Sequence, residues 1–188
     1  FMTDGVSSRS DVSNKTLLEK RKLNSEHAAH TLGISKIKQF DFPDNAMDTV
    51  PLLQVTQSIE KIILNFKPET VFTHYLHDLN IDHSIVARAT LTATRPIVGT
   101  SVKRVLGYEV NSSTEWAFGS PNFSPNYFVN INHTFEKKIK AMQAYEDELR
   151  VSPHPRSIKG IESLALLRGN ASGFEYAEAF EVYRLLED

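Results

Sequence analysis

The segment VFTHYLHDLNIDHSIV, residues 71–86, places three histidines and two aspartates within ten positions, directly after an apolar run. Neutral imidazole is the commonest protein ligand for zinc, and a carboxylate bonded to one ring nitrogen fixes the tautomer and leaves the other nitrogen for the metal. His74, His77 and His83, with Asp78 and Asp82 among them, have the side-chain types such a centre needs. His83 with Asp82 beside it suits that chemistry best. The competing reading is structural: Asp82 as a helix N-cap and His83 as a solvent-facing residue of the first turn. Spacing alone leaves both open, because the pattern lacks the sharpness of His-Glu-x-x-His on one helix face.

Three further groups have polar types that could serve a site. In DFPDNAMD, Asp44 and Asn45 follow a strand-like run, although Pro-Asp-Asn is also ordinary turn chemistry. In VSPHPRSIKG, His154 and Arg156 stand among prolines, which stiffens a loop and presents a guanidinium fork able to grip hydroxyls, a carboxylate or a phosphate. The alternative there is a rigid entry to a helix capped by Ser157. EVNSSTEW gathers Glu109, Ser112, Ser113, Glu115 and Trp116, polar groups beside an indole that could hold a sugar ring, or an indole used for packing. No Gly-x-Ser-x-Gly occurs, so Ser112 is not a nucleophile elbow. His27, His30 and His133 lie on charged helical patterns and read as solvated surface.

The elements that must position these residues alternate. Residues 14–32 carry apolar Leu17, Leu18, Ala28, Ala29 and Leu32 among charges and are followed by Gly33, which predicts a helix. IKQFDF (37–42) alternates like a strand and is broken by PDNAMD. In residues 51–66, Leu52, Val55, Ile59, Ile62 and Ile63 recur at helical spacing behind Pro51. ETVFTH (69–74) predicts a short buried strand, residues 82–94 a helix stopped by Arg95-Pro96, and VKRVLGYEV (102–110) another strand. A Pro/Asn/Ser loop rich in aromatics follows, then an amphipathic helix over 133–150 and a helix over SIKGIESLALLRGN. The closing GFEYAEAFEVYRLL fits a strand or a short helix. Strand–helix alternation predicts an α/β sheet, in large part parallel, with helices on its faces. In such sheets ligands sit at the carboxyl ends of the strands, where the loop HYLHDLNI falls.

Whole-chain composition narrows the function classes. The 188 residues, 40% hydrophobic and 23% charged, have the length of one domain with a substantial core. A formal charge of −2, with both signs spread along the chain, offers no basic stripe, so nucleic acid is not the expected partner. There is no cysteine, so any metal must be held by imidazole and carboxylate; this suits a cytoplasmic protein. No apolar stretch approaches the roughly 20 residues of a membrane span. The opening FMTDGVSSR reads as the end of a strand running into a polar turn, so an upstream segment is expected.

The strings TDGVSSR, AAHTLGI, FPDN, KPETVFTHYLHDLNIDHSIV, TATRP, YEVNSSTEW, PHPRS and AEAF, in that order, resemble the PIG-L/LmbE-like family of zinc-dependent N-acetylglucosaminyl deacetylases, in its bacterial branch with an Asp-Leu-Asn-Ile-Asp-His signature. The resemblance spans the chain. It implies a Rossmann-like three-layer sandwich as a single domain over residues 1–188, and one Zn2+ ion. The implied reaction is hydrolysis of an acetamide on an amino sugar or similar small molecule, releasing acetate and an amine. By the same resemblance His83 is a zinc ligand and Asp82 its acidic neighbour. Asn80 stands where many members place an oxyanion-stabilising His, and Asp78 where some place a Tyr in that role. Arg21, Asp44, His154 and Arg156 match substrate-binding positions. Asn can donate a hydrogen bond to an oxyanion but cannot transfer a proton. The family's other two zinc ligands and its general base lie in a His-Pro-Asp-Asp-Glu motif after its first strand, upstream of the TDG stretch. That motif and that strand are absent from these residues, and the chain is expected to be N-terminally incomplete. Two alternatives remain open: a non-catalytic sugar- or partner-binding protein on the same fold, and a hydrolase of another amide such as a formamide. A homo-oligomer is compatible with all three.

Overall fold

The computed structural model describes residues 1–6, 8 and 14–187. Its elements in chain order are α1 (Asn14–Leu32), α2 (Leu52–Phe66), β1 (Thr70–His74), α3 (Ile81–Ala93), β2 (Arg104–Tyr108), β3 (Tyr127–Asn130), α4 (Phe135–Gln143), α5 (Ile158–Asn170) and β4 (Ala177–Leu185). Short 3-10 turns cover Met47–Thr49, Thr114–Trp116 and Glu146–Glu148. The sheet order is β1-β2-β4-β3, with β1 and β2 parallel and β2 and β4 antiparallel. This is an α/β fold on a mixed sheet.

Local chemistry explains the element ends. Gly33 adopts φ 77° behind α1, its N–H bonds the His30 carbonyl at 3.2 Å, and the Ile34 N–H reaches back to Ala29 at 2.8 Å. That pair of bonds closes the orphan carbonyls of the last turn and needs a residue tolerant of the left-handed region. Pro51 precedes α2 where no donor is required, and Lys67 ends it with φ 51°. Ser157 caps α5, its hydroxyl accepting the Gly160 N–H at 3.0 Å.

The chain folds as two compact units. The first comprises Phe1–Asp44 and Val129–Glu178. Its core is Ile131, Phe135, Ile139, Ile161 and Ala165, against which Met142, Leu149, Ile158 and Tyr176 pack. The Phe135 and Tyr176 rings stack at 4.0 Å. A groove of about 700 Å³ in this unit is lined by apolar Ala28, Ala29, Leu32, Ile34 and Met142, among others, with lysines including Lys36, Lys38 and Lys137. None of the candidate site residues lines it.

The second unit comprises Asn45–Phe128 and Ala179–Asp188. Val55, Ala87, Ala89, Val102 and Val105 are fully buried in it, and Leu106 nearly so. Phe72 and Phe180 meet at 5.1 Å. Thr73 donates to Thr90 at 3.3 Å, tying β1 to α3 beneath the loop that joins them.

Three elements differ from the sequence expectation. Residues 37–42 are extended but form no sheet strand: Thr3 and Phe42 make one parallel bridge, and the Phe40 and Phe42 N–H groups bond Phe1 and Met2. The helix expected over 133–150 stops at Gln143, because Tyr145 leaves helical geometry at φ −109°, ψ 52° before the 3-10 turn. β3 lies where a loop was expected, since its four residues are mostly exposed and show no alternation of buried and exposed positions. The closing segment, undecided by pattern, is strand β4.

Candidate active site

The second unit brings together the loop after β1, the start of α3 and the turn after β2. β1 ends at His74, and the backbone then turns at Tyr75–Asp78, closed by the Asp78 N–H on the Tyr75 carbonyl at 3.2 Å. Asn80 is the N-cap of α3, its side-chain oxygen accepting the N–H groups of Asp82 at 2.9 Å and His83 at 3.4 Å. Asn thereby satisfies donors that the helix itself leaves unpaired. Its amide also donates to the Asn45 side-chain oxygen at 3.0 Å. Thus Asn80, rather than Asp82, caps the helix.

Asp78 is the hub of the cluster. Its carboxylate accepts from the His83 Nδ1–H at 2.9 Å, the Asn80 N–H at 3.0 Å and the Thr114 hydroxyl at 2.5 Å, and also from the Ser113 hydroxyl. The side chain has no solvent exposure. Burial alone would raise its pKa, but the donors from His83, Ser113, Thr114 and Asn80 outweigh it and hold the carboxyl at about 2. A carboxylate so held cannot deliver a proton. Its oxygens are taken up by these donors, one of them the imidazole of His83.

With Nδ1 donating to an ionised carboxylate, His83 presents Nε2, the nitrogen a metal or a reacting group would use. The His83 ring is partly exposed, with 22% of its side-chain surface accessible. On one face it stacks against His74, centroids 4.1 Å apart and planes within 8°. His74 packs in turn against Tyr108 at 4.9 Å. Burial first, and then the neighbouring His83, drive the His74 pKa down to about 3 against the opposing pull of Asp78, so His74 is a neutral platform. Its Nδ1 is buried without a hydrogen-bond partner. Burial and then the Asp78 charge push the Tyr108 phenol up to about 12. His77 stands edge-on to Tyr75 at 5.6 Å.

Asp82, expected to serve His83 as its carboxylate neighbour, does not bond it. Its two oxygens accept the N–H groups of Asn45 at 2.7 Å and Met47 at 3.0 Å. Asn45 has φ 53°, a left-handed conformation that Asn tolerates, and Asp82 clamps that turn against the first turn of α3. Adjacent residues on a helix point about 100° apart, which is why Asp82 and His83 serve different neighbours.

Ser113 and Thr114 were not expected to hold Asp78, because 35 and 36 residues of chain separate them from it. Nothing in the spacing signals such a contact. The polar EVNSSTEW group forms a tight turn: Ser112 has φ 65°, and Glu115 accepts the Ser112 and Ser113 N–H groups at 2.6 and 3.1 Å.

In the first unit, Arg21 and Arg156 meet on one carboxylate. Arg21 donates to Glu148 at 2.5 Å and Arg156 at 3.3 Å, while Arg21 also reaches the Gly5 carbonyl at 3.4 Å. The His154 ring accepts the Arg156 N–H at 3.0 Å, and Arg156 Nε is buried without a partner. Asp44 accepts the hydroxyls of Ser8 at 2.6 Å and Thr3 at 3.3 Å.

As to a metal, the described residues supply one oriented imidazole, that of His83. Among them no group of three or more His, Asp or Glu side chains stands close enough to hold an ion. They fit one coordination position and not a complete set.

The fold has solved counterparts. The conserved protein TT1542 from Thermus thermophilus superposes with TM-score 0.76 at 20% identity over 100% of this chain and 81% of that one. N,N'-diacetylchitobiose deacetylase from Pyrococcus horikoshii gives 0.75 at 20% over 97% and 71%. GalB, the 4-carboxy-2-hydroxymuconate hydratase from Pseudomonas putida, gives 0.64 at 19% over 97% and 80%. At such identities these likenesses establish the fold, and a fold by itself does not fix the reaction. Residues 1–94, the half of the chain that ends after α3 and contains His83, match the family model described as PIG-L, GlcNAc-PI de-N-acetylase, and the chain belongs to that family.

Proposed function

We propose that this protein is a hydrolytic N-deacetylase that removes an acetyl group from an N-acetylated amino sugar or closely related small molecule. Family membership supports the reaction class, and the observation that carries the site is His83, its Nδ1 held by the buried Asp78 and its Nε2 left for chemistry. Zn2+ is the proposed cofactor and His83 one of its ligands. When bound, zinc supplies Lewis acidity that polarises an amide carbonyl and makes water a better nucleophile near neutral pH.

The remaining roles belong to the chain's own side chains. Asp78 holds the ring of His83 in one tautomer. His74 supports the ring's face and, being neutral, adds no charge beside it. Asn80 gives one amide N–H to Asn45 and can offer the second to the oxygen on which charge develops. Asp82 keeps the Asn45–Met47 turn in register with that amide. Substrate contacts by Arg21, Asp44, His154 and Arg156 are proposed on the resemblance, and replacing each in turn should raise KM if it touches the substrate.

The test is release of acetate from a panel of N-acetylated amino sugars, read with and without added zinc. Release that chelation abolishes and zinc restores is the expected result. Formate from N-formylated analogues in place of acetate would move the assignment to a different amide. No hydrolysis of either class by a metal-loaded protein would overturn the reading.

A further inference from the structure

A strand irregularity lies directly beneath the His83 loop. In the β2–β4 pairing Val105 faces Arg184 and Leu106 faces Val182, so Tyr183 has no residue opposite it. Such a bulge bends the strand and re-aims the extra side chain. The Tyr183 ring lies over Gly107 of β2, where an added Cβ would come within 2.5 Å of the ring carbon Cζ and of the phenol oxygen. Only glycine leaves room for the ring at that position. The phenol oxygen then accepts the Leu76 N–H at 2.8 Å, across 107 residues of chain.

Leu76 belongs to the turn that ends in Asp78. That turn begins with the Tyr75 N–H on the Tyr108 carbonyl at 2.8 Å and closes with the Asp78 N–H on Tyr75. Without the phenol the partly buried Leu76 N–H has no acceptor, and a donor left so is costly. Burial pushes the Tyr183 hydroxyl up to about 12, so it stays a phenol and accepts through a lone pair.

We infer that Tyr183, seated on Gly107, is a positioning residue: by holding the Leu76 N–H it fixes the loop whose Asp78 carboxylate sets the ring of His83. The inference rests on the reading of His83 as the reactive imidazole, and it adds a residue about a hundred positions downstream to that site. The rival is that Tyr183 merely fills space between strands, in which case its oxygen is dispensable.

Tyr183→Phe separates the two, because it keeps the ring and deletes only the acceptor. Two readouts need neither metal nor substrate: the 15N signals of the His83 ring and the exchange rate of the Leu76 amide. In the parent protein His83 should show one tautomer, protonated at Nδ1. In Tyr183→Phe the ring signals should shift toward a mixture and Leu76 should exchange at least ~10-fold faster, with ~10-fold lower kcat at little-changed KM. Gly107→Ala, which displaces the ring, should shift the same His83 and Leu76 signals. Unchanged His83 signals and Leu76 exchange in Tyr183→Phe would overturn the inference. A parent protein with the expected ring signals but no hydrolysis would instead sink the deacetylase reading and leave the positioning role standing.

Discussion

At the scale of single residues, the site depends on a carboxylate that never meets solvent. Asp78 holds its charge at a pKa of about 2, below the usual 3.8, because four donors converge on it. A carboxylate with a depressed folded-state value stabilises the fold above its unfolded pKa and loses that contribution as pH falls through the folded one. Stability should therefore decline between about pH 4 and pH 2 by an amount on the order of 2 kcal/mol from this group. Urea titrations of the parent and of Asp78→Asn across that range are the check, and the variant should show a shallower acid limb. At neutral pH, Asp78→Asn should lower deacetylase activity or zinc affinity about 10- to 100-fold, the usual cost of losing the carboxylate behind a ligating histidine. His83→Ala should abolish zinc binding altogether. Unchanged zinc content by elemental analysis would remove His83 from the ligand set.

At the scale of elements, α3 is the part that converts chain order into chemistry. Its cap Asn80, its first-turn Asp82 and its His83 point to three different neighbours. Asn80→Ala removes a cap worth ~1 kcal/mol and the bond to Asn45 as well, so it should cost about 1–2 kcal/mol in chemical denaturation and lower kcat more than KM. Asn80→Asp keeps the cap acceptor but loses the amide donor. It should retain most of the stability while losing activity, and equal activity would refute the oxyanion role. In the other unit, α5 begins against a turn with no room for a side chain: a Cβ on Gly160 would collide with the Pro155 carbonyl. Gly160→Ala should destabilise the protein by about 1–3 kcal/mol through that overlap, despite alanine's better helix propensity. A melting temperature at or above the parent's would contradict it.

At the scale of the molecule, these 188 residues contain no cysteine, so whatever they contribute to a metal comes from imidazole and carboxylate. Any metal held through His83 should be lost on acidification or on addition of a chelator, as read by elemental analysis. None of the described helices is long and apolar enough to cross a membrane. A groove of about 700 Å³ in the first unit is lined by residues other than those of the candidate site.

Much was legible from the sequence because it is encoded locally. The helix of residues 14–32 with its glycine stop, the apolar face of α2, the short strand β1 and the placement of His83 after it all follow from periodicity, caps and chain order. Family membership was readable from motif order for the same reason, and it brought the reaction class with it. Tertiary structure alone decided which carboxylate serves His83. Asp78 and Asp82 both lie within five residues of it, and only the direction each takes from the loop and helix sends one to the imidazole and the other to the Asn45 turn. It also decided that Ser113, Thr114 and Tyr183 support the site, contacts made across long stretches of chain that no local pattern records. Sequence specifies the short-range preferences; long-range partners emerge only when packing closes the chain on itself and every buried donor must find an acceptor.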